Sequence, residues 1–377
     1  MKELLFKYTE LFEEVDFLFD FTALFLFSLL FCSLLILLNQ TSIFKNRSLE
    51  DLSAVQSSHT KPVSRIGGLA LFVGIFVLFL MAKVLRFNIS DLWPFVITII
   101  PIFLAGTAED LGFAMSPLRR LLAICVSSIL VILLYDCWVS RVGIPYIDTL
   151  ISFAPIGIIF TVFASAGVTN AFNLIDGLNG LAAFTAISIS ISLSIIAFSV
   201  GHPNLSILCL SITPIIAGFL VLNFPFGKIF LGDGGAYLLG HCLVWIAIYL
   251  MQLENSISPF AILLIFFWPV SDTLLAIWRR KTLGKPRHLP DRLHFHQLTM
   301  RFLEIRSFGR SKRQMTNPLA TTILLPLIVT PQVLGIIFAT DPIWAPVSFA
   351  IMTAIFIATY LAGIAVAKKR NKQNSAL

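Results

Sequence analysis

Two short runs place amide and carboxylate oxygens beside glycines in an otherwise apolar chain: N-A-F-N-L-I-D-G-L-N-G (Asn170 to Gly180) and F-L-G-D-G-G (Phe230 to Gly235). Each sits at the mouth of a long hydrophobic stretch. Lipid does not tolerate uncompensated polar groups without a reason, so their placement asks for a functional account. Asn170, Asn173 and Asp176 are three residues apart and share one helical face. A cap and a turn would be the plain structural reading, but three oxygens on one face of a membrane span weigh toward ligand binding. Oxygen donors with one or two acids, and little nitrogen or sulfur, suit Mg²⁺ completed by substrate phosphates.

Other reactive groups fall in the same class of position. One loop ends H-T-K-P-V-S-R-I-G-G (His59 to Gly68), another holds A-E-D-L-G (Ala108 to Gly112) followed by Arg119 and Arg120. Glu109 and Asp110 close a hydrophobic stretch, where acids oppose the helix macrodipole and therefore do not serve stability; a base or an electrostatic gate is the chemical reading. His294 and His296, in P-D-R-L-H-F-H-Q (Pro290 to Gln297), have no further ligands at zinc-finger spacing, so contact with a phosphate or sugar beside Arg292 is expected. Arg65 has the plainer reading of a snorkelling flank. Asp272, inside an apolar stretch, is expected to pair with Arg279 or Arg280. Cys32, Cys125, Cys137, Cys209 and Cys242 show no metal or redox spacing and read as inert filler.

The elements that must hold these groups follow from composition. Hydrophobic residues make up 57% of 377 and charged residues 12%, which specifies an all-α, polytopic membrane helix bundle. Eleven spans are expected, near 21–38, 66–85, 92–108, 118–135, 150–168, 181–200, 205–222, 235–251, 258–278, 319–339 and 343–367, against the ~20 residues needed to cross a bilayer; two re-entrant segments would reduce the count to ten. The first twenty residues carry six acids and only Lys2 and Lys7, the wrong charge for a signal peptide. Of 27 Lys and Arg, 22 lie in or beside the odd-to-even loops and the C-terminal tail. The expected orientation is N-terminus outside and C-terminus cytoplasmic: a periplasmic tail over 1–20, a membrane domain over 21–367, and a cytoplasmic tail over 368–377. Every polar motif then falls on the cytoplasmic side, including a long basic loop over 279–318. The +7 net charge reflects this topology and contact with anionic lipid; no basic stretch is interleaved with stacking aromatics, which excludes nucleic acid.

In this order, from about His59 to His296, the motifs resemble the polyprenyl-phosphate N-acetylhexosamine-1-phosphate transferase family. The resemblance implies a bacterial inner-membrane enzyme that moves a sugar-1-phosphate from a UDP-sugar, with N-acetylglucosamine favoured, onto undecaprenyl phosphate and releases UMP, initiating O-antigen or similar surface polysaccharide. It implies that Asn173 and Asp233 hold Mg²⁺, with Mn²⁺ the alternative ion. Asn170 and Asp176 would line the nucleotide and phosphate pocket, Asp176 with a catalytic part, and the 279–318 loop would read the sugar through Arg292, His294 and His296. A homodimer is left open. Two departures stand out: Glu109-Asp110 replaces the usual Asp-Asp, and His294-Phe295-His296-Gln297 replaces the usual His-x-His-His. The absence of consecutive histidines points away from the phospho-muramoyl-pentapeptide branch.

The chemistry suits the residues independently. A lipid phosphate and a pyrophosphate must approach against mutual repulsion, and Mg²⁺, Lys61, Arg65 and the basic loop would offset that charge. A carboxylate such as Asp110 would take or steer the last proton of the lipid phosphate. The rival class is a transporter or flippase for an anionic substrate, which should instead bury its charges at the midplane on broken, repeated helices.

Overall fold

The computed structural model describes residues 17–39, 63–81, 89–282, 294–309 and 312–374. Fourteen α-helices and no strand occur among the described residues. They are α1 (Phe17–Asn39), α2 (Gly67–Leu80), α3 (Ile89–Asp110), α4 (Pro117–Tyr135), α5 (Pro145–Ile151), α6 (Ala154–Ile175) and α7 (Leu181–Ser199). The second half holds α8 (Pro203–Asn223), α9 (Gly232–Leu253), α10 (Pro259–Ile265), α11 (Phe267–Thr282), α12 (Phe295–Leu303), α13 (Arg313–Ile337) and α14 (Trp344–Asn374). Among the described residues nine helices are long and apolar enough to cross a membrane, or ten if α10 and α11 form one broken span. Each of the eleven expected hydrophobic stretches carries a helix. The exception in length is α2, whose 14 residues cover about 21 Å at 1.5 Å per residue, short of a ~30 Å hydrocarbon core.

The ninth stretch corrects the sequence reading. It is not one straight helix: α10 and α11 meet at Phe266 with a bend of 82°. Pro269 explains the break. It has no N–H to offer the Ile265 carbonyl four residues back, and its ring crowds that carbonyl. The described parts of the basic 279–318 segment are largely helical: α11 runs on to Thr282, α12 forms over Phe295–Leu303, and α13 begins at Arg313.

The most enclosed element is α9, with 83% of its apolar window buried, against 22% for α1 and for α14. It packs against α2, α3, α6 and α7. Small residues permit this, since without Cβ atoms helix backbones approach closely. A Cβ on Gly68 would lie 2.6 Å from the Gly235 Cα, and one on Gly106 would lie 2.6 Å from the Gly234 Cα. Helices α7 and α8 form a second buried pair, and α1 lies along α8.

Contacts sort the loops into two ends. At one end Arg141 donates to the Ile257 carbonyl at 2.7 Å, and Ser258 N–H to the Ala339 carbonyl at 2.8 Å. At the other end meet the starts of α2, α4, α7 and α9 and the ends of α3, α6 and α8. All the motif residues described here belong to that second end.

Candidate active site

The site begins with backbone. Phe230 N–H donates to the Ser64 carbonyl (2.8 Å), Gly67 N–H to the Phe230 carbonyl (2.9 Å) and Gly68 N–H to the Leu231 carbonyl (2.8 Å). These bonds stitch the 230–231 segment to the strand-like approach into α2. Gly232 then turns with φ +74, a conformation that favours glycine. Any Cβ there would collide with the Arg65 carbonyl and the Asp110 carboxylate.

Asp110, the last residue of α3, holds the start of α9. Its Oδ1 accepts from Asp233 N–H and its Oδ2 from Gly234 N–H, both at 2.9 Å. Those N–H groups have no partner within their own helix, so a carboxylate from a neighbouring element satisfies them and complements the positive end of the dipole. Asp233 is thereby fixed between two guanidinium groups: Arg65 donates to Oδ1 at 2.6 Å and Arg120 to Oδ2 at 2.8 Å. Arg65 also lies 3.4 Å from Asp110, and Arg120 lies 3.9 Å from Glu109. Glu109 is the more open acid and accepts from Met115 N–H at 3.0 Å. Three carboxylates and two guanidiniums therefore share one pocket. Buried ion pairs of this kind do not by themselves favour folding, and the arrangement marks a place where charge is managed.

The Asn170 run lies beside it. Asn170 and Asn173 occupy the last two turns of α6, on one face as their spacing requires, and Asp176 caps the helix C-terminus. Asn173 donates its amide to the Tyr237 hydroxyl at 2.9 Å, one turn along α9 from Asp233; this leaves the Asn173 Oδ1 as an acceptor. The rest of the run is pinned from outside. Asn179 N–H donates to Asn317 Oδ1 (2.8 Å), Gly180 N–H to Asn223 Oδ1 (2.6 Å), and the Thr321 hydroxyl to the Asn179 carbonyl (2.8 Å). Asn223 in turn donates to the Ile229 carbonyl at 2.8 Å, so the two motifs share a brace.

The histidines join the same end. His296 packs its Nε2 against Gly177, 2.7 Å from where a Cβ would stand. Both His294 and His296 direct Nδ1 at Asp272 Oδ2, at 3.1 and 3.0 Å. The expected pairing of Asp272 with Arg279 or Arg280 is thus corrected: Asp272 receives the histidines and the Phe295 N–H (2.7 Å), while the Arg279 guanidinium donates to the Tyr360 hydroxyl. Burial pushes His296 below the usual imidazole range, against the pull of Asp272. Outside the spans, burial and the neighbouring Asp136 push the Cys137 thiol up to about 12, in keeping with an inert cysteine.

Of the residues singled out from sequence, Asp110, Asp233 and Arg65 meet directly and Glu109 joins them through Arg120; Asn173 reaches them through Tyr237, and Asn170 and Asp176 share its helix end. His296 borders the Asn170 run at Gly177, and His294 joins it through Asp272. Lys61 and Arg292 lie outside the described residues. Sequence reasoning passed over Tyr237, Asn223, Asn317 and the bridging role of Arg120. A polar residue at or within an apolar span was the available signal for each. A separate apolar cavity of about 790 Å³, between Phe79, Phe95, Tyr135 and Trp245, lies at the opposite end and holds none of these acids or arginines.

Comparison with known proteins adds the family context. Residues 92–251 match the model of glycosyl transferase family 4. A probable undecaprenyl-phosphate N-acetylglucosaminyl 1-phosphate transferase of Bacillus subtilis is 29% identical over 72% of this chain and 76% of its own. An undecaprenyl-phosphate alpha-N-acetylglucosaminyl 1-phosphate transferase of Escherichia coli K12 is 26% identical over 75% of this chain and 76% of its own. A phospho-N-acetylmuramoyl-pentapeptide-transferase of Clostridium perfringens is 33% identical over 48% of this chain and 56% of its own.

Proposed function

We propose that this chain, whose residues 92–251 match the glycosyl transferase family 4 model and which is similar to undecaprenyl-phosphate N-acetylglucosaminyl 1-phosphate transferases, moves an N-acetylhexosamine-1-phosphate, with N-acetylglucosamine the favoured sugar, from a UDP-sugar to undecaprenyl phosphate. The products are undecaprenyl-diphosphate-sugar and UMP, and the step initiates a surface polysaccharide such as O-antigen. The enzyme works in the bacterial inner membrane with this site facing the cytoplasm, where the nucleotide sugar is made; the 22-to-5 split of basic residues supports that orientation. The observation that carries the reading is Asp233, clasped by Arg65 and Arg120 and set beside Asn173 at the polar end of a membrane bundle.

An oxygen of the lipid phosphate bonds to the sugar-bearing phosphorus as the bridging P–O bond breaks and UMP departs. Arg65 and Arg120 are partly open and already balance carboxylates; turned onto the incoming phosphates, they lower the repulsion between two anions. Asp110 keeps α9 and hence Asp233 in place, and its remaining lone pairs are available to take or steer a proton of the lipid phosphate. Asp176, at the open end of α6, lines the nucleotide side with Asn170. The donor set fits a hard divalent cation: it is all oxygen, with the Asn173 Oδ1 and the Asp233 carboxylate as ligands. Mg²⁺, or Mn²⁺ in its place, would supply charge neutralisation of the pyrophosphate there.

The test is transfer in purified form. Undecaprenyl phosphate with labelled UDP-N-acetylglucosamine, UDP-N-acetylgalactosamine and UDP-deoxyamino sugars should give labelled lipid and stoichiometric UMP with one donor. Release of UDP in place of UMP, or no labelled lipid from any donor, would overturn the reading.

A further inference from the structure

Asp272 has no assigned part in the site above, yet it is 1% exposed inside α11 with both oxygens engaged. Oδ1 takes the Phe295 N–H at the start of α12, and Oδ2 takes Nδ1 of both His294 and His296. A carboxylate only accepts, so both Nδ1 atoms carry the proton and both Nε2 atoms are left as the working nitrogens. The rings lie nearly parallel with centroids 5.5 Å apart. His296 Nε2 is fully buried without a hydrogen-bond partner among the described residues, and it abuts Gly177, next to Asp176. A buried polar atom left unpaired at an established site edge marks a contact that a ligand completes.

The geometry points to Asp272 as a positioning residue of the transfer: it sets the tautomer and orientation of His294 and His296 so that their Nε2 atoms accept hydrogen bonds from the UDP-sugar. The inference rests on the UDP-sugar reading above. The break at Pro269 is part of the device, since the 82° bend redirects α11, the helix on which Asp272 rides. Three ligand-type groups within 4.8 Å of one another also resemble a metal site. Structural zinc sites carry four protein ligands; here three groups gather among the described residues, and the Nδ1–Oδ2 separations of 3.1 and 3.0 Å are those of ordinary hydrogen bonds, so a hydrogen-bonded clasp accounts for the cluster without a metal.

Asp272→Asn keeps one acceptor oxygen and puts an NH₂ in place of the other, so it cannot accept from the Phe295 N–H and from both Nδ1–H groups together: the NH₂ faces either the two rings, which then lose the Nδ1–H tautomer, or the Phe295 N–H, which then loosens the start of α12. The substitution should lower kcat/KM for the UDP-sugar by about 10–100-fold, the loss usual when a residue orienting a working histidine is removed. KM for undecaprenyl phosphate should not change, and Asp272→Glu should recover part of the loss. In a His294→Ala/His296→Ala background, Asp272→Asn should add nothing. Nitrogen-15 spectra of the histidines in the purified full-length protein give a readout that needs no turnover: the parent should show Nδ1–H rings whose Nε2 signals move on adding the UDP-sugar, and Asp272→Asn should show mixed tautomers. Nε2–H rings in the parent, unchanged kinetics in Asp272→Asn, or stoichiometric zinc in the purified protein would each overturn the proposal. Absence of transfer by the parent, with the tautomers as expected, would fault the substrate reading and leave the clasp standing.

Discussion

Replacing Asp110 by Asn is an isosteric change on paper, and the structure makes it a severe one. Each carboxylate oxygen accepts a backbone N–H at 2.9 Å, from Asp233 and from Gly234. Asparagine keeps one acceptor and turns an NH₂ toward the other N–H, so two donors face each other in a buried place. One charge-assisted bond is lost, about 1.5–3 kcal/mol, and a buried donor is left unsatisfied at about 1–3 kcal/mol more. The start of α9 will move to relieve this, carrying Asp233 away from Arg65 and Arg120. A misplacement near 1 Å at reacting groups typically reduces rate by about 10²-fold. The assay pairs UMP release at saturating lipid phosphate with the denaturation midpoint of the detergent-solubilised protein. Both should fall in Asp110→Asn. If rate falls by about 10²–10⁴-fold while the midpoint is unchanged, Asp110 acts as a base alone and the anchoring argument fails. If neither moves, Asp110 leaves the mechanism altogether. Glu109→Asp, which alters the open acid, should be tolerated in both measurements.

Asp233→Asn should abolish transfer and Asn173→Ala should reduce it nearly as far, with membrane insertion unchanged by protease mapping; full activity in EDTA-treated membranes would refute the metal assignment. Gly68→Ala should lose folded protein, because the new Cβ meets the Gly235 backbone, whereas Gly167→Ala has nothing within 4 Å and should be silent or slightly stabilising on a thermal melt. A reporter fused after Leu377 should be active only in the cytoplasm; periplasmic activity would invert the bundle and put the site on the wrong side for a nucleotide sugar.

Hydrophobic runs and the distribution of lysine and arginine determined the helical class, the positions of the spans and the gathering of polar motifs at one end. These follow from short-range rules: an apolar stretch of span length must form a helix in lipid, because its backbone has no other partners. The three-residue spacing of Asn170 and Asn173 likewise fixed their common face before any packing was known. Packing decided the rest. No local pattern says that Asp110 reaches across to the start of a helix more than one hundred residues later, or that Asp233 lies between Arg65 and Arg120. Those partners come from four separate stretches of chain, and only the close approach of glycine-bearing helices brings them within bonding distance. Asp272 looked like the mate of a neighbouring arginine because sequence offers only neighbours as candidates. The bend at Pro269 and the return of α12 gave it two histidines instead, since a buried carboxylate takes whichever donors the fold delivers to it.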